Sequence, residues 1–277
     1  MKFRTHRENG ALNSPHIFDA FEQGIRSAGH TLSKDHDAIP VIWSVLWNGR
    51  MAANRSIYQR AVDHGKPIVI IEVGNFLRGK SWRISLRHIN NLGIFGNDDD
   101  LDVNRNEKFQ INLKPYKIIR RSEILIACQH QKSLQWQGQP PVDQWVRSTI
   151  SKIRQFSGRS IVVRPHPRSP FAFQEKDVLF EKPKLVPNTY DDFDINYNFH
   201  CVINHNSGVP IQAAVNGIPT ICDQSCLAYP VSMAYSDLEN PVLPDRELWL
   251  TKLFHTEWFV DEIQQGIPIR RLEKYLI

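Results

Sequence analysis

Cys201-Val202-Ile203-Asn204-His205-Asn206-Ser207-Gly208-Val209-Pro210-Ile211-Gln212-Ala213-Ala214-Val215-Asn216-Gly217-Ile218-Pro219-Thr220-Ile221-Cys222 carries the plainest fold signal in the chain. An apolar run over Cys201–Asn204 ends in a polar turn. A helix is expected over about Pro210–Asn216, Gly217 ends it, and Pro219–Cys222 is apolar again. Strand, turn, helix, glycine stop and strand form the repeating unit of a parallel α/β sheet.

The same rhythm extends on both sides. Upstream, Ser160–Arg164 reads as a strand entering Pro165-His166-Pro167, after a helix over Pro140–Phe156 with Gly158 behind it and a strand at Glu123–Cys128. The first half opens with a strand around Lys2–His6. Ser14-Pro15 then reads as N-cap and first position of a helix to about Ala28, with Gly29 past its end. Ala38–Trp47 suits a buried parallel strand. A helix from the Asn48-Gly49-Arg50 turn to about His64 follows, and Lys66–Gly74 is a further strand. Between Arg78 and Asn112 neither period dominates, so a loop-rich insertion is expected there. The tail, Asp245–Ile277, reads as helical and amphipathic, with Trp249, Leu250, Phe254, Trp258, Phe259 and Ile263 as its apolar stripe.

The 277 residues are 41% hydrophobic, which suits one large globular domain or two small ones. No apolar run approaches the roughly 18–20 residues of a membrane span, and the N-terminus lacks the apolar core of a secretion signal. A cytoplasmic protein without a membrane partner is expected. Cys128, Cys201, Cys222 and Cys226 read as buried free thiols suited to a reducing compartment. Cys222 and Cys226 have ligand-like spacing, yet no second pair completes a structural zinc site. A net charge of +5 favours an anionic partner without choosing among nucleotide-sugars, DNA and acidic glycans.

The residues suggest where chemistry sits. A turn entering a helix presents unpaired backbone N–H groups; Ser207 adds a hydroxyl and Gly208 admits a phosphate close to the backbone. An ordinary βα turn capped by Ser207 is the competing reading. Arg164 and His166 fall at the carboxyl end of a strand, where open α/β sheets bind ligands; a packed loop histidine is the alternative. Asp98, Asp99, Asp100 and Asp102 form an acidic turn, with Asp98 and Asp100 spaced to recruit a divalent ion such as Mg²⁺ or Mn²⁺. The basic, Trp-containing stretch carrying Arg78, Lys80, Arg83 and Arg87 is a candidate phosphate-contacting surface, or else a solvated edge strand. No Gly-x-Gly-x-x-Gly follows the opening strand, which argues against a nicotinamide enzyme.

Taken together, the Arg164-Pro165-His166-Pro167 turn and the Asn206-Ser207-Gly208 helix start resemble the nucleotide-binding half of GT-B glycosyltransferases, most closely the His-Pro and Ser-rich motifs of sialyl- and Kdo-type transferases. That resemblance implies an α/β, GT-B-like fold of two Rossmann-like domains facing a cleft. Residues 1–115 would bind acceptor, 116–245 would bind the nucleotide-sugar, and C-terminal helices in 246–277 would cross back to the first domain. It implies that His166 and Ser207 hold donor phosphates, beside Arg164, Asn206 and Gly208. Gln212 stands where those families carry a Glu toward the ribose, and Asn206-Ser207-Gly208 replaces their Ser-Ser/Thr pair.

The whole chain also resembles phage-encoded DNA glycosyltransferases of the T-even β-glucosyltransferase type, on Trp43–Arg50, Trp82-Arg83-Ile84-Ser85 and Asp261–Pro268. This implies transfer of a sugar, glucose first, from a UDP-sugar such as UDP-glucose to the hydroxymethyl group of a modified pyrimidine in double-stranded DNA. Inverting transfer needs a carboxylate to take the acceptor proton; Asp100 is the first choice and Asp98 the second. A glycan acceptor, or a non-catalytic nucleotide- or DNA-binding α/β module, are the other readings.

Overall fold

The computed structural model describes residues 1–117, 122–181 and 198–276. They form two compact units, one of Met1–Gln110 with the described residues from Thr251 onward, the other of the described residues between Ile111 and Leu250.

The first unit begins β1 (Lys2–Thr5), α1 (Pro15–Ser27), β2 (Thr31–Leu32), β3 (Ile39–Trp43), α2 (Asn54–Asp63), β4 (Val69–Val73), β5 (Ser81–Leu86) and α3 (Arg105–Phe109). Ser14 precedes Pro15 as expected, but its hydroxyl donates to Ala11 O at 2.8 Å instead of capping the helix. Ile17, Phe18, Phe21 and Ile25 recur at helical spacing and bury one face of α1.

In the second unit, β6 (Ile124–Ala127), α4 (Val142–Arg154), β7 (Ile161–Arg164), β8 (Val178–Phe180), β9 (Cys201–Ile203), α5 (Val209–Val215) and β10 (Thr220–Ile221) alternate much as the hydrophobic pattern expects. Their sheet is parallel throughout, in the order β10-β9-β6-β7-β8. Alternate residues pack opposite faces. Ile124, Ile126, Ile161, Val163 and Ile203 meet Val146 and Ile153 of α4, whereas Leu125, Val162 and Val202 meet Phe199, Ala213 and Ile218. Burial on both faces explains why these strands read as unbroken apolar runs.

The tail is α6 (Glu247–Phe254), β11 (Glu257–Phe259), α7 (Val260–Gln264) and α8 (Ile267–Leu272). The expected helical tail is therefore interrupted by a strand. β11 pairs antiparallel with β5 and completes the first sheet, ordered β11-β5-β4-β3-β1-β2. Gly24 of α1 lets the tail approach, since a Cβ there would lie 2.1 Å from Ile263 O. Arg105 fixes the same region, donating to both oxygens of Glu262 at 2.6 and 3.1 Å and to Phe254 O at 2.7 Å.

The stretch Arg78–His88 departs most from expectation. Every residue of β5 is buried. Trp82, Ile84 and Leu86 enter the core of the first unit, and Arg83 faces the other way, directly opposite Glu72 on β4 and Glu257 on β11. Among the described residues, no helix is long and apolar enough to cross a membrane.

Candidate functional site

The carboxyl ends of β6, β7 and β9 lie side by side, with β6 in the middle. Each leads into a polar loop, and together these loops build the candidate site.

After β9, Asn204 is 2% exposed and organises the turn. Its Nδ2 donates to Ala127 O at 2.7 Å, and its Oδ1 accepts Ser207 N at 2.9 Å. Ser207 Oγ accepts Val209 N at 3.3 Å, and the same hydroxyl keeps a hydrogen to donate. Gly208 is in the right-handed region, with φ −71°, so the turn does not require a positive φ there. Asn206 was expected to meet the ligand, but the structure commits its side chain internally: Nδ2 donates to Ser225 Oγ at 2.6 Å, and Oδ1 accepts Gln135 Nε2 at 3.1 Å. Its backbone N donates to Gln129 Oε1 at 2.7 Å. Asn206 thus ties the β9 loop to the β6 loop. Gln212 lies half-buried on α5, a helix of seven residues.

After β7, Arg164 is 8% exposed and is turned inward. Its Nε and Nη2 donate to Glu181 Oε2 at 3.0 and 2.8 Å, and its guanidinium lies 5.5 Å from the Phe199 ring centre. Its Nη1 is buried with no hydrogen-bond partner among the described residues. His166 is half-exposed at the strand end, where its Nδ1 accepts Arg168 N at 3.1 Å.

After β6 stands a residue that sequence reasoning passed over. His130 is 8% exposed, and its Nδ1 accepts Lys132 N at 3.1 Å. The His130 and His166 rings meet edge to face, with centroids 5.2 Å apart and an interplanar angle of 69°. Burial, reinforced by Lys132 and Arg168, pushes the His130 imidazole below its usual range. A signal was available: His130-Gln131-Lys132 and His166-Pro167-Arg168 both place histidine two residues before a cation at a strand end. His205, held by Gln135 O at 3.1 Å, is also pushed down by burial.

The other expected residues lie in the first unit. Asp100 pairs with Arg271 at 2.5 Å and Asp98 with Lys252 at 2.6 Å, and both carboxylates are more than half exposed. Arg83 is not on the surface; its Nε donates to Val73 O at 3.2 Å and its Nη1 to Ile89 O at 2.9 Å. Lys80 and Arg87 are exposed but flank opposite ends of β5, roughly 20 Å apart at strand rise. With Arg78 half-buried beside Lys80, the expected basic stretch is not one continuous face. Glu72, also missed, accepts Ser44 Oγ at 2.7 Å and Val73 N at 3.0 Å near the carboxyl end of β4. Ser44 itself holds a left-handed φ of 63°, a strained conformation for serine. Among the described residues no cluster of three or more His, Cys, Asp or Glu is placed to hold a metal ion. The cysteines are free thiols; burial raises Cys128 to about 12 and Cys201 higher still.

No protein-family model matches the chain, and no curated protein matches it in sequence. The solved structures that share its fold include two from one organism. One is the β-Kdo 2,4 transferase of Thermosulfurimonas dismutans KpsC, with TM-score 0.51 and 13% identity over 90% of this chain and 89% of that one. The other is the β-Kdo 2,7 transferase of the same KpsC, with TM-score 0.50 and 11% identity over 98% of this chain and all of that one. The chain therefore has a two-unit α/β fold shared, over nearly its whole length, with structures of Kdo transferases.

Proposed function

We propose that the protein is a glycosyltransferase that binds a nucleotide-sugar at the carboxyl edge of its all-parallel sheet and delivers the sugar to a glycan hydroxyl. The observation that carries this reading is the placement of His166 and Ser207 on loops at that same edge, one on either side of the β6 loop. Ligands of open α/β sheets bind at strand carboxyl ends, and imidazole and hydroxyl donors suit phosphate oxygens. The likeness in fold to Kdo transferases supports the reaction class. In this reading Arg164 and Asn206 shape the site from behind, and His166 and Ser207 meet the donor, with Gly208 and Gln212 at the start of α5.

Transfer breaks the bond between the anomeric carbon and the nucleotide phosphate and forms a bond to the acceptor oxygen, whose proton passes to a base. Asp100 and Glu72 are the carboxylates to compare for that role. Asp100 must first leave Arg271, whereas Glu72 accepts Ser44 Oγ and Val73 N and stands opposite Arg83 on β5.

A glycan acceptor is favoured over DNA because Arg83 is buried and Lys80 and Arg87 are separated. The test presents the purified protein with UDP-glucose and other nucleotide-sugars, each with oligosaccharide acceptors or with duplex DNA containing 5-hydroxymethylcytosine. Mass spectrometry of the acceptors gives the outcome. A glycan gaining one sugar supports the proposal. A hexose on the modified base would replace the glycan with DNA, and absence of nucleotide-sugar binding would overturn the transferase reading.

A further inference from the structure

The His130–His166 pair repeats one device at the ends of two neighbouring strands. Ala127 of β6 and Arg164 of β7 are register partners, and Cys128 N donates to Arg164 O at 2.9 Å, so the two loops leave the sheet side by side. In each loop a histidine Nδ1 accepts the backbone N–H two residues on, both at 3.1 Å. An Nδ1 that accepts carries no hydrogen, so each neutral ring holds its proton on Nε2 and presents that atom as a donor. The Nε2 of His130 is buried and has no hydrogen-bond partner among the described residues. A buried donor without an acceptor destabilises the fold, and such a group calls for an explanation, a bound anion being one.

We propose that His130 is a second phosphate-binding imidazole of this site, donating its Nε2–H to an oxygen of the sugar nucleotide's phosphate beside His166. The inference rests on the nucleotide-sugar reading above and adds a residue to it. The exposed Lys132 and Arg168 supply a positive field around His130, which suits an anion. Burial together with these cations keeps His130 neutral near pH 7, so it acts as a donor through hydrogen-bond geometry and not through its own charge. A transition-metal role is disfavoured by the same geometry, because both Nδ1 lone pairs are engaged and both Nε2 atoms are protonated.

The test measures CMP and UDP affinity of the full chain by titration calorimetry for wild type, His130→Ala and His130→Gln. Gln carries an amide N–H at about the reach of Nε2, whereas Ala carries no donor. Wild type should bind at least one of the two nucleotides. His130→Ala should weaken that binding about tenfold or more, the range for a lost hydrogen bond to a charged group. His130→Gln should stay within about threefold of wild type. Unchanged affinity in His130→Ala would overturn the inference and leave the donor site standing. Equal loss in Ala and Gln would also overturn it, because the donor would then not be what matters. Failure of wild type to bind either nucleotide would overturn both this inference and the site it rests on. Should His130→Ala not fold, His130→Phe, which keeps an aromatic ring and removes the donor, takes its place: a tenfold loss with His130→Gln near wild type supports the role, and unchanged affinity refutes it.

Discussion

Replacing Arg105 with methionine should destabilise the first unit by about 3 kcal/mol. Arg105 and Glu262 are each 8% exposed at the side chain and face each other bidentately. The guanidinium also donates to Phe254 O at 2.7 Å and Glu257 O at 2.5 Å, joining α3 to the end of α6, β11 and α7. Methionine fills most of the volume and removes all of these donors. Losing one member of a buried ion pair costs about 3–5 kcal/mol, chiefly because the remaining charge stays buried. Glu262 keeps Phe259 N at 2.8 Å and Lys108 at 3.3 Å, and Lys108 is 38% exposed, which places the effect at the lower end. Adding Glu262→Leu removes the orphaned charge, so the double variant should recover about half the loss; the carbonyls of Phe254 and Glu257 still lack their donor. Urea unfolding followed by Trp fluorescence gives the energies, and hydrogen exchange over β11 and α7 locates the change. An Arg105→Met cost below about 1 kcal/mol would refute the reasoning.

Three further outcomes follow from the structure. Asn204→Leu should cost about 2–4 kcal/mol by stripping partners from Ala127 O and Ser207 N, and should weaken nucleotide binding; calorimetric affinity equal to wild type would show that Asn204 does not position the loop. Arg83→Met should lower the urea midpoint and leave the slope of DNA binding against salt unchanged, because the guanidinium is buried on Val73 O and Ile89 O; a smaller slope would return Arg83 to the surface. Burial lowers the proton affinity of His6, His88, His130, His205 and His255 in the fold. The unfolded chain then binds more protons below about pH 6.5, so their contribution to stability is complete above that pH and is lost as pH falls through the folded values. Melting temperature should decline from pH 7 to 5.5, and a flat profile would sink this account. Glu257, raised by burial, acts in the opposite sense, its contribution being lost as pH rises from about 4.5 through its folded value.

The second unit was legible in the sequence because its signals are local. An all-parallel sheet buried on both faces makes apolar runs, Gly217 stops α5, and the loops at the strand ends fall where chain order places them. His166 and Ser207 could therefore be assigned to strand ends before any coordinate was known. The first unit's later strands were not legible, because β5 and β11 depend on a pairing between residues far apart in the chain, Trp82 with Trp258 and Arg83 with Glu257. No local period reports such a partner, so Arg83 read as a surface cation and Glu257–Phe259 as part of a helix. Which way a side chain turns was also decided in three dimensions: Arg164 folds back onto Glu181, Asn206 bridges Gln135 and Ser225, and Asp100 pairs with Arg271. The amino-acid order set the strand ends where chemistry gathers. Tertiary packing decided which polar groups there remain for a ligand, because a hydrogen-bonding group serves whichever partner the fold brings within reach.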